Sequence, residues 1–511
     1  MIRRLDNVKL AVTQSEDKLL RLAESKLGGK VKYFKIIKKS LDARDKNNIF
    51  WVYSIAFSGE SEVEQIPLLE QVKNPPAVAV IGAGPAGLFC ALRLVERGFR
   101  PIIIERGEQV EERRKTCLNF FDGQGLDTES NVQFGEGGAG AFSDGKLNTR
   151  TKDGFNSYVL DTFVKFGAPE DVAYLNKPHV GSDRLYGVLQ NIRTHVCNGG
   201  GSYLFNTKLT DVRVSDGKLT SLVLQNVKTG REEELPVDCA VLAIGHSARD
   251  TYQMLVRRGV TMEPRDFAVG VRIEHLASQI GLAQYGEKYK LLPTADYQLV
   301  SHAHERTVFT FCMCPGGVVI PAASEEGGVV VNGMSNRARD GVNSNSALMV
   351  QMRKEDFGNG DLFDGVNFQR RLERRAFELA GKNYRAPCQT FGDFVKDRIS
   401  SDFGEVKPTY AAGTAFVPLD EVLPPVVVGA LKAAIPDMGK RLKGFDSPHA
   451  LLTGVETRFS SPVKILRGDG LQSVSVQNLY PCGEGSGYSG GITSSAADGV
   501  RTAESIFFRY K

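Results

Sequence analysis

Apolar runs and glycines alternate between residues 77 and 105 in the order strand, turn, helix, strand. Val78–Ile81 is a short apolar run typical of a buried strand. Leu88–Leu94 places apolar residues at helical spacing until Gly98 ends them. A second β-branched run covers Ile102–Ile104. The pattern predicts a βαβ unit.

The turn of this unit has the glycine spacing that a dinucleotide requires. Gly82 permits the tight turn, Gly84 lets the backbone approach a pyrophosphate, and Gly87 allows the helix to pack on the strand. Amides at the helix start then face the phosphates. Glu105 follows eighteen residues after Gly87, where a carboxylate can accept hydrogen bonds from ribose hydroxyls. We interpret the unit as dinucleotide-binding, in preference to an ordinary glycine turn.

Later apolar runs predict more strands of the same sheet. A helix begins near Arg184, a strand covers Tyr203–Phe205, and residues 215–218 form a hairpin turn. The wholly apolar run at residues 239–244 stops at Gly245, as a central parallel strand would. Near the C-terminus, a strand over residues 474–480 leads through glycines into a helix through Ala503–Phe508. We therefore expect the chain to return and complete one cofactor site.

The remaining segments predict two further parts. At the N-terminus, strands at Val8–Val12 and Phe50–Phe57 flank a helix at Ser15–Leu27, and a linker runs from residue 60 to residue 76. Strands at residues 267–273, 308–313 and 327–331, with several helices, predict an inserted domain. We predict an α/β chain in three parts, with a small basic α+β domain at 1–74, a Rossmann-like cofactor domain at 75–262 completed by 450–511, and an inserted mixed α+β substrate domain at 263–449.

Composition indicates an ordinary globular protein of several domains. The chain has 511 residues, 41% of them hydrophobic and 24% charged. No apolar run reaches about 18 residues and no signal segment is recognisable, so we expect no membrane span. Eight cysteines without framework spacing fit a reducing cytoplasm.

Positive charge is concentrated at the N-terminus. The first 40 residues hold 11 lysines and arginines against 4 acidic residues. Such a cluster attracts nucleic acid or another anion, or it is a solvated face. We favour the solvated face, because no aromatic stacking motif accompanies the lysines.

A glycine-dense segment runs from Phe134 to Arg150. So many glycines contribute little to a core, but they let a backbone lie against a planar or anionic ligand. The alternative is a disordered loop. We favour ligand contact, because Lys146 and Arg150 stand at its end and Phe142 and Leu147 would anchor it.

Six segments together resemble a known family. They are VIGAGPAGLFCA (80–91), GGAGAFSDGKLNTR (137–150), AIGHSARDTY (243–252), FAVGVRIEH (267–275), FCMCPGG (311–317) and CGEGSGYSGGITSSAADG (482–499). They resemble the glutathione reductase-type FAD-binding superfamily, and more closely the uncharacterised FAD-dependent proteins or NAD(FAD)-utilising dehydrogenases. The resemblance implies FAD, with its pyrophosphate at the glycine turn, its ribose at Glu105 and its flavin end near residues 490–493.

The cofactor contacts expected on this basis extend over the whole cofactor domain. They are Gly82, Gly84, Pro85, Ala86, Gly87, Glu105, Arg106, Gly138, Ala139, Lys146, Leu209, Gly245, Gly483, Glu484, Gly490, Gly491, Ile492 and Thr493. If Ile492 begins a helix, its amides present positive charge to the flavin N1–O2 edge and raise the reduction potential. Only one GxGxxG motif, at residues 82–87, lies within a predicted βαβ unit. NAD(P)H would therefore dock transiently, or the substrate itself is the reductant.

The inserted domain supplies the candidates for chemistry. A zinc site is suggested by the set His302, His304, Cys312 and Cys314. If residues 305–307 form the turn of a hairpin, however, residue 302 pairs with residue 310 and residue 300 with residue 312. The four side chains would then not converge on one ion, so we expect no metal. The two cysteines would share a face of a strand with Cβ atoms about 6.5–7 Å apart, too far for a disulfide. They are either buried structural cysteines or thiols at the flavin face.

Proton transfer and substrate orientation have several candidates. Arg272 could orient a carboxylate substrate, and His275, His246 and His302 are the available imidazoles. We take His275, Arg272, Cys312, Cys314 and His246 as the catalytic candidates. The sequence predicts an FAD-dependent oxidoreductase that passes a hydride between a small organic substrate or NAD(P)H and flavin N5. The alternatives are a flavin-dependent RNA- or tRNA-modifying factor and a non-catalytic FAD-binding interaction protein.

Overall fold

The computed structural model describes residues 2–61, 69–149, 151 and 153–511. Arg150 and part of the expected linker lie outside the described residues.

The N-terminal residues form an antiparallel sheet that packs against one helix. Its elements are β1 (Arg3–Ala11), α1 (Asp17–Leu27), β2 (Tyr33–Asp42) and β3 (Phe50–Ser58). The strand order is β1-β3-β2. The two predicted strands and the helix are confirmed. The sequence pattern does not predict β2, because three lysines interrupt its apolar alternation.

The next part of the chain alternates strands and helices. Its elements are β4 (Val78–Ile81), α2 (Pro85–Glu96), β5 (Ile102–Ile104), α3 (Val110–Phe121), α4 (Asn156–Lys165), α5 (Ser182–Asn198), β6 (Ser202–Leu204), β7 (Thr207–Ser215), β8 (Lys218–Asn226), β9 (Glu232–Pro236), β10 (Cys239–Leu242) and α6 (Arg249–Arg257). The βαβ unit and the β7–β8 hairpin are confirmed.

The remainder of the chain is richer in strands. Its elements are β11 (Met262–Pro264), β12 (Phe267–Leu276), α7 (Ala277–Tyr285), β13 (Val300–Ser301), β14 (Val308–Cys314), β15 (Val318–Pro321), β16 (Val331–Met334), β17 (Asn343–Met352), α8 (Asp364–Leu379), β18 (Ala386–Thr390), α9 (Phe391–Val395), β19 (Thr414–Phe416), α10 (Pro425–Gly439), β20 (Leu451–Glu456), β21 (Val463–Ile465), β22 (Leu479–Pro481) and α11 (Ile492–Tyr510). Short 3₁₀ helices lie at Gly138–Phe142, Glu170–Ala173, Gly286–Leu291, Lys354–Asp356 and Leu419–Glu421.

A five-stranded parallel sheet is the centre of the cofactor domain. Its order is β22-β10-β4-β5-β6, so β10 is an interior strand with a parallel neighbour on each side, as its apolar sequence predicts. The predicted return of the chain is confirmed, because β22 pairs with β10 and α11 packs on α2. The two helices approach so closely that a Cβ on Gly499 would lie 2.1 Å from the carbonyl oxygen of Ala86. One sheet is thus built from both ends of the chain.

A seven-stranded sheet forms the core of the other large part, in the order β13-β14-β17-β12-β20-β18-β19. Its strands are antiparallel except for the β18–β19 pair. Its buried apolar side chains pack beneath α10 and α8. The chain is therefore an α/β protein with a Rossmann-like domain and a large additional sheet-rich domain.

The predicted pairing of the β13–β14 hairpin was wrong. Val300 pairs with Phe309, not with residue 312. The turn is longer than expected because side chains cap it: the Ala303 amide donates to Ser301 Oγ (3.2 Å) and the Arg306 amide to His304 Nδ1 (3.2 Å).

Other predicted boundaries also shift. The strand expected at residues 327–331 begins only at Val331, because the Val329 amide donates to the Glu373 carbonyl oxygen (2.9 Å). The strand expected at residues 474–480 shortens to β22, because Ser473 Oγ accepts the Val476 amide (3.4 Å) in a turn.

The C-terminal helix extends beyond the predicted range. It begins at Ile492, eleven residues before the predicted Ala503–Phe508 segment, and continues to Tyr510. None of the helices in the described part of the chain is both long enough and apolar enough to cross a membrane.

Candidate active site

One cavity of about 380 Å³ lies where the glycine turn, the loop after β10 and the start of α11 meet. Strand β14 and residues 456–459 close its opposite wall. Most of the expected cofactor contacts line it, namely Gly82, Gly84, Pro85, Ala86, Glu105, Arg106, Gly138, Ala139, Lys146, Leu209, Gly245, Glu484, Gly490, Gly491, Ile492 and Thr493. Segments more than 400 residues apart in the sequence therefore face a single space.

Two expected contacts, Gly87 and Gly483, lie outside the lining. A Cβ on Gly87 would lie 1.9 Å from the Gly82 carbonyl oxygen, so this glycine lets α2 sit close to the turn. The Gly483 amide donates to Asp498 Oδ2 (2.8 Å), and a Cβ there would lie 2.7 Å from Ala86 Cβ. Both glycines shape the site through packing rather than by contact.

The glycine turn leaves open space where a ligand must approach. Gly82 has φ +102°, and a Cβ there would lie 2.3 Å from the Ala243 carbonyl oxygen. Gly84, at the N-terminus of α2, has an ordinary φ of −75°. A Cβ on Gly84 would have only Gly138 Cα, at 3.8 Å, within contact range. A larger side chain there would fill the cavity instead of clashing with the protein.

The Glu105 carboxylate is fixed by backbone amides. Glu105 Oε2 accepts the Ala83 amide (2.8 Å), and Oε1 accepts those of Gly107 and Gly135 (both 2.9 Å). The residue is 5% exposed and lines the cavity. It thus joins the glycine turn to the loop before Gly138, and its remaining lone pairs suit ribose hydroxyls.

Arg106 beside it belongs to an ion-pair cluster. Its guanidinium lies 4.1 Å from the Phe134 ring centroid and pairs with Asp250 (3.1 Å) and Glu129 (2.6 Å). Lys208 also pairs with Asp250 (2.6 Å). Burial disfavours ionisation of Asp250, but the two cations outweigh it and hold its pKa well below the usual range. The charge on Arg106 is therefore already balanced.

The other end of the cavity meets the start of α11. Gly491 is its N-cap, so the amides of the following three residues have no carbonyl partner within the helix. Thr493 Oγ1 donates to the Leu147 carbonyl oxygen (2.6 Å), which fixes the glycine-dense segment against this helix. Ile492 does begin a helix, and the positive dipole end of α11 faces the cavity.

His246 and Glu484 form a pair in the wall. His246 Nδ1 lies 3.5 Å from Glu484 Oε1. His246 Nε2 is buried and has no hydrogen-bond partner among the described residues. With the open glycine turn, this orphaned nitrogen shows that the wall is arranged for a polar ligand, and an FAD-sized dinucleotide fits the donor set.

Cys312 and Cys314 do not share a face, which corrects the sequence expectation. The register of β14 shifts between Phe311 and Cys314, and Cys312 has φ +42°. Cys312 therefore faces the cavity, whereas Cys314 is buried, 1% exposed and outside the lining. Desolvation of the Cys312 thiol by the surrounding protein raises its pKa to about 12, so it is protonated at neutral pH.

Arg272 does not reach the cavity, so the expected direct contact with a substrate was wrong. It is fully buried behind β14. Its guanidinium donates to the Cys312 carbonyl oxygen (2.9 Å) and Asn345 Oδ1 (3.1 Å) and pairs with Glu456 (3.2 Å). Its role is to hold the unusual backbone of Cys312.

His275 also lies away from the cavity, which removes it from the catalytic candidates. Its ring packs on Phe445, with centroids 5.0 Å apart, and Nε2 donates to the Phe445 carbonyl oxygen (2.8 Å). Burial lowers the pKa of His275 to about 4. It is a neutral core histidine.

Several cavity residues were not predicted. Asp144 accepts hydrogen bonds from Arg339, and Phe311 packs edge-to-face on Phe459 with centroids 4.6 Å apart. Arg458 pairs with the buried Glu373 (2.8 Å). These contacts join residues far apart in sequence. The quoted segments contain Asp144 and Phe311, but nothing local distinguishes their roles.

The histidine and cysteine set in the inserted domain does not converge. Nowhere in the described ranges do three or more His, Cys, Asp or Glu side chains lie close enough to hold a metal ion. His302 is exposed and contacts Thr307 (3.4 Å).

Comparisons with known proteins match a segment in each of the two large parts of the chain. Residues 266–459 match a family described as FAD-dependent protein, C-terminal domain-like, and residues 80–111 match an NAD(P)-binding Rossmann-like domain. An uncharacterised protein of Clostridium beijerinckii is 46% identical over 541 residues, covering 100% of this chain and 99% of its own.

The solved structures similar to the chain share far less of its sequence. The glycerol-3-phosphate dehydrogenase of Bacillus halodurans, complexed with FAD, is 10% identical with a TM-score of 0.37, over 85% of this chain and 65% of that one. The chain thus spans less than two thirds of the dehydrogenase. Glycine oxidase of Geobacillus kaustophilus is 10% identical with a TM-score of 0.36, and the match covers 85% of this chain and 95% of the oxidase.

Proposed function

Because the chain belongs to the family of FAD-dependent proteins that carry a Rossmann-like NAD(P)-binding unit, we propose that it is an FAD-dependent oxidoreductase. FAD, when bound, would exchange a hydride at flavin N5 with a small organic substrate or NAD(P)H. We further propose that FAD is held as in the glutathione reductase-type superfamily, with its pyrophosphate at the glycine turn and its ribose on Glu105.

The observation that carries this proposal is the shared cavity. The N-termini of α2 and α11 both face it, and each presents amides and partial positive charge to an anionic group. The inserted domain closes the same space with Thr310–Met313. A cofactor held by the two helices would therefore lie directly beside a substrate held by the inserted domain.

The residues that line this cavity suit charge stabilisation, exclusion of water and proton transfer. The start of α11 would stabilise negative charge on a bound ring, and Phe311 with Phe459 would exclude water. His246, paired with Glu484, offers a nitrogen that can hold or move a proton. Only the GxGxxG motif at residues 82–87 lies within a βαβ unit, which supports transient docking of NAD(P)H over a dedicated second nucleotide site.

The test is anaerobic reduction of the purified yellow protein. NADH, NADPH and a panel of small organic acids, amines and alcohols are mixed with it, and the flavin absorbance is followed. We expect at least one compound to bleach the flavin and oxygen or an organic acceptor to restore the colour. If dithionite alone bleaches it, the oxidoreductase proposal fails and a non-catalytic FAD-binding role is supported.

A further inference from the structure

One cation among the described residues that line the cavity has no carboxylate partner. Six lysines and arginines lie among its described lining residues. Five of them form ion pairs, namely Arg106 with Asp250 and Glu129, Lys177 with Asp296, Lys208 with Asp250 and Glu129, Arg339 with Asp144, and Arg458 with Glu373. Lys146 has no ion-pair partner in the described part of the chain, and its Nζ donates to the neutral carbonyl oxygen of Met313.

A carbonyl oxygen does not neutralise an ammonium group. Lys146 is half-buried, so its charge is partly removed from water. The nearby acidic groups have their direct ion pairs with other cations: Asp296 pairs with Lys177 (2.9 Å) and Glu456 with Arg272 (3.2 Å), and Lys146 acts on Asp296 only through its longer-range charge. An anion that entered the cavity would therefore gain a charge-assisted hydrogen bond without displacing an existing ion pair.

Lys146 is also placed where the two domains face each other. The Leu147 carbonyl oxygen accepts a hydrogen bond from the Thr493 hydroxyl (2.6 Å), so the backbone of the neighbouring Lys146 lies beside the start of α11. Its ammonium group reaches strand β14 at Met313. An anion bound there would lie between α11 and the inserted domain.

An apolar surface lies within reach of this cation. Phe311 is 37% exposed although it stands in a strand, and it lines the cavity with its edge-to-face partner Phe459. Phe311 and Met313 are two residues apart, at most about 6.5–7 Å along a strand. That distance matches a single aromatic ring carrying a carboxylate.

We propose that this end of the cavity is the substrate site for an aromatic carboxylate, which places its carboxylate on Lys146 and its ring against Phe311 and Phe459. The inference rests on the proposed function, since it names the substrate class of the same site. It assigns Lys146 to the substrate, whereas the family resemblance implied cofactor contact.

Benzoate is a suitable probe for the FAD-loaded protein. Calorimetry and the flavin absorbance spectrum are used to compare benzoate with benzamide, which lacks the charge, and acetate, which lacks the ring. We expect benzoate to bind at least about tenfold more tightly than either, because it alone makes both the charged hydrogen bond and the ring contact.

Matched variants separate the contributions. Lys146→Met should weaken benzoate binding about tenfold or more while FAD is retained. Lys177→Met is the control, since Lys177 lines the same cavity but is 62% exposed and paired with Asp296; its effect should stay within about twofold. Phe311→Ala should lower the affinity for benzoate toward that for acetate.

Three results would overturn the inference: equal binding of benzoate and benzamide, unchanged binding in Lys146→Met, or loss of FAD from Lys146→Met. The last result would show that Lys146 holds the cofactor. A chain that is loaded with FAD and reduced by another donor, but does not respond to benzoate, contradicts this inference alone. A wild-type chain without FAD contradicts the proposed function as well.

Discussion

Single residues in this protein often act through the backbone they hold. Glu105 accepts hydrogen bonds from three backbone amides in three different segments. Arg272 donates a hydrogen bond to the carbonyl oxygen of Cys312, whose backbone has a positive φ. Neither role is visible in a local sequence pattern. The sequence predicts that Glu105 stands at the end of β5, but its function as a junction between loops depends on long-range contacts.

The pKa of His275 leads to a prediction about stability and pH. Burial lowers it to about 4 from an ordinary 6.5, so the unfolded chain binds more protons than the folded chain between these values. Its stabilising contribution is therefore present above pH 6.5 and is lost as the pH falls toward 4. The loss should be on the order of 3 kcal/mol. Urea unfolding of the wild type and His275→Gln, which keeps a donor for Phe445, measures it.

His302→Gln is the control for this experiment, since His302 is exposed. The stability of His275→Gln should depend less on pH than that of the wild type between pH 6.5 and 4, while His302→Gln should follow the wild type. Parallel curves for all three proteins would show that His275 does not titrate as described. Flavin reduction should be unaffected by His275→Gln, because the side chain does not line the cavity.

Two glycines within helices should respond in opposite ways to alanine. A Cβ on Gly87 would lie 1.9 Å from the Gly82 carbonyl oxygen, so Gly87→Ala should destabilise the protein by at least about 1–3 kcal/mol. Gly187 in α5 has no atom within 4 Å of such a Cβ, so Gly187→Ala should stabilise by about 0.5–1 kcal/mol. Equilibrium unfolding in urea measures both. If both substitutions changed the free energy of unfolding equally, close packing of α2 on the glycine turn would not be the reason for glycine at position 87.

At the scale of elements, the sequence predicts the cofactor domain better than the inserted domain. The βαβ unit, the interior strand β10 and the late return of the chain depend on short-range patterns of apolar residues and glycine. The predicted β13–β14 pairing was wrong because side-chain caps lengthen its turn. The shared face predicted for Cys312 and Cys314 was wrong because a bulge interrupts the pairing of β14 with β17. Such features depend on non-local contacts, which periodicity does not report.

The N-terminal sheet is expected to be dispensable for cofactor binding. None of its described residues lines the cavity. It is attached through Lys39, whose amide donates to the Tyr174 carbonyl oxygen (2.8 Å), and through Lys46, whose Nζ donates to that of Ala283 (2.7 Å). Deleting residues 1–74 should therefore leave the FAD content per chain close to that of the full-length protein. A truncated chain recovered as aggregated apoprotein would show that the domain boundary is misplaced.

The whole molecule builds one cavity from distant parts of the chain. The wall that faces the cofactor is composed of glycines and helix starts from both halves of the cofactor domain. The facing wall is composed of side chains from the inserted domain. The sequence indicates the first wall through its motifs. The partners of Lys146, Arg458 and Phe311 follow only from the folded structure.

We propose that FAD occupies the space in front of Gly84, and the flavin content of the wild-type and Gly84→Leu proteins measures this directly. Because a Cβ at Gly84 meets no close protein atom, the variant should fold, as circular dichroism and urea unfolding would show, while its side chain blocks the site. We predict one intact FAD, and no FMN, released per wild-type chain, and a colourless folded variant. A folded Gly84→Leu protein with full FAD content, or a wild type that takes up NAD but no flavin, would contradict the account.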